Sequence, residues 1–413
     1  MLDDSMRVAV ERKVSPPLWL LVLVTMSGTL AMHMFVPALP YSAAELHATV
    51  AQTQMTISMY IIGLAVGQLI YGPLSDSLGR RPALMAGLAL YLVGGITAAL
   101  TTSLHMLVAA RLVQALGGCA GLALGRAIVR DTSNSQTVVS RLALLNLMMM
   151  IGPGLAPILG SGIAATLGWR AIFWVLAGLG SIALISTWWL LPETGQPSGR
   201  FSGRIMLSDY KRLFGSARFV GFALGGGMAT TSIYAFIAAA PFIFVTELHR
   251  PLHEVGLYLG LMIAGMSVGN ALTGRLIRSV PINLLLLGGN SLSVISAIML
   301  VLVTVTGHLN LAAVLVLIFM FTCGVGLTGP SALTKSLSIN PRLTGSAAGL
   351  YGSLQMAAGA ISTSFVSVGS DPAFSASVVL LAAVVLAQLA FWVALRQGKK
   401  DDIKSKSSET SIS

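Results

Sequence analysis

Charge is scarce in this 413-residue chain: Asp, Glu, Lys and Arg together make up 9% of it. A water-soluble domain of that size cannot cover its surface with so few charges. Cysteine is nearly absent. Cys119 and Cys323 both sit in apolar runs, where they read as small packing residues rather than a disulfide. No His/Cys/Asp cluster has metal-ligand spacing, and no Gly-x-x-x-x-Gly-Lys-Ser/Thr loop occurs. No metal, no cofactor, no direct use of ATP and no enzymatic activity are therefore expected. The formal charge is +11, but there is no dense basic stripe interleaved with aromatics, so a nucleic-acid partner is not expected.

Hydrophobic residues make up 55% of the chain, and they run in blocks the length of a membrane-crossing helix. Twelve spans can be marked at 18–38, 53–74, 82–101, 105–128, 138–163, 170–191, 218–244, 254–276, 282–305, 309–332, 344–367 and 373–395. The first run contains Pro37 and is longer than a signal-peptide core, so it reads as a retained helix. The expectation is an all-α integral membrane protein. Its parts are a segment 1–17, a six-helix bundle 18–191, a linker 192–217, a second bundle 218–395 and a tail 396–413. Placing both termini in the cytoplasm puts all but Arg111, Arg170 and Arg250 of the 25 Lys and Arg on that side, as the positive-inside rule requires.

The linker mixes apolar and basic residues and reads as an amphipathic segment on the inner membrane surface. The tail, rich in Lys, Asp and Ser, reads as disordered. The halves share worn similarity. Gly67, Gln68 and Gly72 match Gly269, Asn270 and Gly274, and Cys119 and Gly125 match Cys323 and Gly329, each about 200 residues on. That offset suits a duplicated six-span unit.

Four motifs carry more. Gly72-Pro73-Leu74-Ser75-Asp76-Ser77-Leu78-Gly79-Arg80-Arg81-Pro82 reads as a short loop between the second and third spans. Leu107 to Gln114 places Arg111 inside the fourth span, and Gly125-Arg126-Ala127-Ile128-Val129-Arg130-Asp131 closes it. Gly152-Pro153-Gly154-Leu155-Ala156-Pro157-Ile158-Leu159-Gly160 lies in the fifth span and has no counterpart in the eleventh. The first, second and fourth of these segments resemble signatures of the major facilitator superfamily, the last being its antiporter motif. The close of the fourth span, with Val36-Pro37-Ala38-Leu39-Pro40, resembles the Bcr/CflA subfamily of drug:proton antiporters. In that subfamily an aspartate usually stands four residues before the first proline of the Pro-Ala-Leu-Pro run. Here that position is His33.

The resemblance implies a role for each segment. Gly72, Asp76, Gly79, Arg80, Arg81, Arg130 and Asp131 form an inner gate. In it Asp76 faces the start of the eleventh helix near Leu343 to Gly345, and Arg80 or Arg81 pairs with Asp131. Snorkelling topology charges are the alternative. Arg111 lines the central cavity with Gln114 one turn on, and an arginine held structurally by carbonyls is the alternative. His33 carries the coupling proton or, alternatively, shapes the cavity as a neutral hydrogen-bonded ring. Gly152, Pro153, Gly154, Pro157 and Gly160 bend the fifth helix against the eighth and seal the cavity, unless they are ordinary small-residue packing. Glu247 and Glu254 look solvated. The polar and aromatic residues Tyr60, Gln68, Asn146, Tyr234, Phe236, Asn270 and Gln355 lie at span depth, and spacing does not say which of them line a cavity. The function so implied is proton-coupled efflux of small amphipathic molecules by a monomer in the inner membrane, with protons, lipid and the substrate as its partners. A transporter of a specific metabolite, or a channel, stays open.

Overall fold

The computed structural model describes residues 16–133, 138–195, 203–340, 343–366 and 371–410. Within them the chain is a bundle of long helices. The amino-terminal six spans are built from α1 (Leu18–Phe35), α2 (Leu39–Glu45), α3 (Val50–Leu78), α4 (Arg80–Leu100), α5 (Leu104–Thr132), α6 (Val138–Leu167) and α7 (Trp169–Leu190). A linker helix, α8 (Gly203–Phe214), follows. The second six use α9 (Ala217–Thr231), α10 (Ile233–Phe242), α11 (Leu252–Leu276), α12 (Ile282–Val305), α13 (Leu311–Leu337), α14 (Thr344–Val366) and α15 (Pro372–Thr410). Among the described residues ten spans are long and apolar enough to cross a membrane. With α6 at 30 residues and α14 at 23 residues the count reaches the expected twelve.

The helix starts are written locally. Thr49 and Gln52 form a reciprocal capping box at α3. Ser103, Ser216 and Asn310 accept from the third residue of α5, α9 and α13. Pro17, Pro251 and Pro281 precede α1, α11 and α12, where a missing amide costs nothing.

Four expectations need correction. The first span does not stop at residue 38: a 3-10 turn, Val36–Ala38, redirects the chain at Pro37 and α2 extends the span to Glu45. The Gly72–Pro82 segment is not a loop: α3 continues through Pro73 to Leu78, and the reversal is confined to Gly79. Gly79 has φ +105°, in the region that favours glycine. The seventh span is broken at Ser232, and below Pro241 its last turn, Ile243–Glu247, is a π-helix. The tail is not disordered throughout, because α15 runs to Thr410. Extending an existing helix needs no new nucleus, so a polar sequence can follow an apolar span in the same conformation.

Each bundle has its own packing. In the first, α5 is central, against α1, α3 and α4, while α7 packs on α4 and α1. In the second, α13 packs on α11, α12 and α9, and α15 packs on α9 and α12. The bundles meet through α3 against α14 and α6 against α11. The duplication inferred from sequence is a packing fact. Gly67 of α3 crosses α5 at Cys119, and Gly269 of α11 crosses α13 at the Cys323 carbonyl. In both crossings a side chain on the glycine would collide, so two helix backbones come close by the same device.

Helix α8 places Leu213 and Tyr210 in one apolar cluster with Phe219, Leu350 and Tyr351. The Ser346 hydroxyl donates to Asp209 at 3.3 Å. The expected surface segment is thus held on protein by one face, while Leu207 and Phe214 stay exposed.

Candidate functional site

Three places gather the chemistry. The first lies at the end of the bundles that carries Gly79. Arg80 of α4 reaches Asp131 of α5 at 3.1 Å and Asp76 of α3 at 2.7 Å, so one guanidinium joins three helices. Arg81 turns away and donates to the Trp188 carbonyl of α7 at 2.7 Å. Arg130 is exposed and makes no hydrogen bond or ion pair among the described residues. The expected docking of Asp76 on the start of α14, near Leu343 to Gly345, turns on Thr344 and Gly345, whose surroundings lie outside the described residues.

Sequence reasoning missed Glu193, just past α7. Its carboxylate accepts from the amides of Arg80 (2.8 Å), Arg81 (3.3 Å), Thr194 (3.0 Å) and Gly195 (2.9 Å). It therefore sits on the positive end of α4 and fixes the residue that bears the ion pairs. Gly79 lies directly under it, and a Cβ there would strike the carboxylate. The available signal was the Pro192-Glu193-Thr194-Gly195 turn, an acid standing next to a helix end.

The second place is Arg111, wholly buried. Its Nη1 donates to the Ala31 carbonyl of α1 at 3.1 Å and to Gln114 Oε1 at 2.7 Å. Its guanidinium carbon lies 3.9 Å from the ring centre of Tyr60, 5.3 Å from Phe35 and 5.7 Å from Phe173. Each desolvated cation–π contact stabilises by up to about 2 kcal/mol. Tyr60 is itself fixed, donating to the Gly28 carbonyl at 2.6 Å. Arg111 does not line a cavity, which corrects the expectation. Sequence placed it at depth but could not say which face of α5 it occupies, and that face is walled by α1, α3 and α7.

The third place is His33, buried on α1. Its Nδ1 lies 2.8 Å from the Thr29 carbonyl. A carbonyl only accepts, so Nδ1 carries the proton and Nε2 is the free base. The ring stands edge-on to Tyr234 of α10 at 6.4 Å between centroids, so His33 touches both bundles. It is not brought together with Arg111: Ala31 and His33 are two residues apart, about 200° around the helix.

The antiporter segment touches two neighbours. Gly152 and Gly160 face α1 at Met26 and the Met34 carbonyl, while Gly154 and Pro157 face α11 at Ile263 and Gly256. The side chain of Pro153 lies outside the described residues. Helix α6 is continuous through this segment.

At the opposite end from Gly79, Gln54 of α3 donates to the Ala238 carbonyl of α10 at 3.4 Å, and α10 also packs on α2 and on the Val36–Ala38 turn. The bundles are closed on each other there. Glu45 accepts from Trp169 Nε1 at 2.6 Å and from Arg170, tying α2 to α7. Glu247 and Glu254 are engaged rather than simply solvated. Glu247 accepts from the Ala373 amide at 3.2 Å, and Glu254 pairs with Arg250 at 2.8 Å and accepts from Tyr258. Hydrogen bonds to Tyr258 and Glu254 raise the Arg250 guanidinium above its ordinary value. On the flank, α3 and α14 leave an apolar cleft of about 670 Å3 lined by residues such as Val66, Leu69, Ile361 and Phe365.

Comparison with known proteins agrees with this architecture. A bicyclomycin resistance protein homolog of Haemophilus influenzae is 26% identical over 376 residues, 90% of this chain and 94% of that protein. Multidrug resistance protein D of Escherichia coli is 28% identical over 340 residues, 82% of this chain and 85% of that protein. A bacterial homolog of the human lysosomal transporter Spinster, solved in an inward-facing and occupied conformation, superposes with a TM-score of 0.72 at 13% identity, covering 92% of this chain and 96% of that one. The sequence profile of the Major Facilitator Superfamily matches residues 21–363; with twelve helices in two bundles that repeat one glycine crossing, this multi-pass membrane protein belongs to that superfamily.

Proposed function

We propose that the protein exports small amphipathic molecules across the inner membrane in exchange for protons, acting as a monomer with both termini in the cytoplasm. The substrate class is drawn from the relatives, which are named for bicyclomycin and multidrug resistance. The proton route rests on one observation: His33 presents a free Nε2 at the contact between α1 and α10. Protonating it places a charge where the bundles touch and so biases which end they close. Alternating access then proceeds around a cavity between them. The Arg80–Asp131–Asp76 cluster holds the cytoplasmic ends of α3, α4 and α5 together as the first bundle rocks, Gly152 to Gly160 lets α6 slide closely on α1 and α11, and Arg111 with Gln114 holds the stretch of α1 that bears His33.

The test is proton movement in everted vesicles. Adding bicyclomycin to energised vesicles containing the protein should release protons, and His33→Ala should abolish gradient-driven uptake while leaving downhill exchange. His33→Asp should keep some transport with a more acidic pH profile. Unchanged coupled uptake in His33→Ala would assign the proton to another group.

A further inference from the structure

Arg126 is the second arginine set inside a span, and its surroundings are the reverse of those of Arg111. It lies six residues before the end of α5, about 9 Å along the axis. Its side chain is exposed and makes no hydrogen bond or ion pair among the described residues. Helix α5 packs on α1 through Gly118, Gly121 and Gly125, and on α3 through Ala115, Leu116 and Cys119. Residue 126 comes seven residues after Cys119, about 20° from it around the axis and so on the α3 side of α5, and it is exposed there, about 10 Å nearer the Gly79 end. Arg130, one turn on, is exposed on the same side. Like charges four residues apart repel. The acid beside them, Asp131, is already bound to Arg80. No Asp or Glu stands inside a span further than about one turn from its end. Among the described residues the membrane part thus holds an exposed cation without an acidic partner, and no embedded anion to receive a positive substrate.

We propose that Arg126 is the charge-recognition residue of the transport path, and that the molecule it admits is an amphipath with an anionic head. This rests on the efflux reading and names its substrate class. Arg126 takes the anionic group by charge-assisted hydrogen bonds, Arg130 makes the approach to it attractive, and the apolar body lies against the walls formed by the helices. A lipophilic cation finds no counter-charge there and is repelled.

Two ions with the same four-phenyl shell and opposite charge isolate this effect: tetraphenylborate and tetraphenylphosphonium. Their binding to the purified full-length protein in lipid nanodiscs is measured by tryptophan fluorescence. The wild type should bind the borate at least about 10-fold more tightly than the phosphonium. Arg126→Gln should reduce that ratio to near one, and Arg126→Lys should keep most of it. Because the chain is basic overall, the ratio that counts is the difference between wild type and Arg126→Gln. Equal binding of the two ions by the wild type, a preference for the phosphonium, or a preference that survives Arg126→Gln would each overturn the proposal. The result is independent of export. If bicyclomycin moves no protons in vesicles while the borate preference depends on Arg126, the coupled-efflux reading fails and the anion site stands. If proton movement occurs and the preference does not, the efflux reading stands and the anion site fails.

Discussion

In the amino-terminal bundle Gly67 crosses α5 at Cys119, and in the carboxy-terminal bundle Gly269 crosses α13 at Cys323. From those shared crossings the halves part company in charge. At the offset of Arg111 from Cys119, the second half has Leu315. In place of Arg126 it has Pro330, and in place of Asp76 it has Arg278. Neutral hydrogen bonds join the helices of the second bundle: Asn290 to the Val384 carbonyl at 2.9 Å and to Gln388 at 2.6 Å, Ser293 to the Phe321 carbonyl at 2.9 Å, and Thr273 to the Gly326 carbonyl at 3.2 Å. The first bundle uses a buried guanidinium and a three-helix ion-pair cluster as well. The duplicated frame supplies shape to both halves, and the first adds charged groups buried or paired between its helices.

The largest way to break this comparison is to remove the buried cation. Arg111→Ala should destabilise the purified protein by about 3 kcal/mol, because it strips three aromatic faces and two acceptors of their partner. The matched Leu315→Ala, half-buried and apolar, should cost about 1–2 kcal/mol. Thermal unfolding in detergent reads both, and equal losses would mean that the charge adds nothing to the first bundle. The glycine crossings test the shared frame. Gly269→Ala meets a backbone carbonyl that cannot rotate away, whereas Gly67→Ala meets the Cys119 side chain. The first should therefore lower stability by about 2 kcal/mol and the second by about 1 kcal/mol. A smaller loss in Gly269→Ala would show that the crossing in the second bundle is loose.

Transport sharpens the contrast at the Gly79 end. Arg80→Ala should slow turnover about 10-fold with substrate affinity kept, since the ion pairs join helices and do not touch substrate. Arg278→Ala, exposed in the second half, should change turnover less than about 2-fold. Flux in proteoliposomes at saturating substrate decides it, and a larger effect for Arg278 would reverse the assigned asymmetry. The smallest effect belongs to Glu193→Gln. It keeps hydrogen-bond acceptance and loses the charge on the start of α4, at a cost of about 0.5–1 kcal/mol. Its fall in melting temperature should shrink further at high salt in the wild-type comparison.

Much of this was legible without coordinates. Blocks of apolar residues at membrane length fixed twelve spans, because unpaired backbone groups are intolerable in lipid and only helices satisfy them locally. Matching glycines and cysteines exposed the repeat, since close helix approach demands small residues at fixed places. The place of the acids at span ends could be set out from order along the chain, while the pairing of Arg80 or Arg81 with Asp131 came from the family resemblance, and packing selects Arg80. The facing of a residue could not. In sequence Arg111 stands inside the fourth span and Arg126 counts with the cytoplasmic bases at its close; packing seals the first with aromatic rings and leaves the second exposed. Fifteen residues put them only about 60° apart around α5, so the difference lies in which distant segments pack at each depth. Glu193 was likewise invisible as a partner of α4, because 112 residues separate it from Arg81. Composition and periodicity determined that this chain crosses the membrane as two related bundles. Which charges are caged, paired or left open was decided only when the helices packed, because burial and Coulomb energy depend on distances that sequence spacing does not contain.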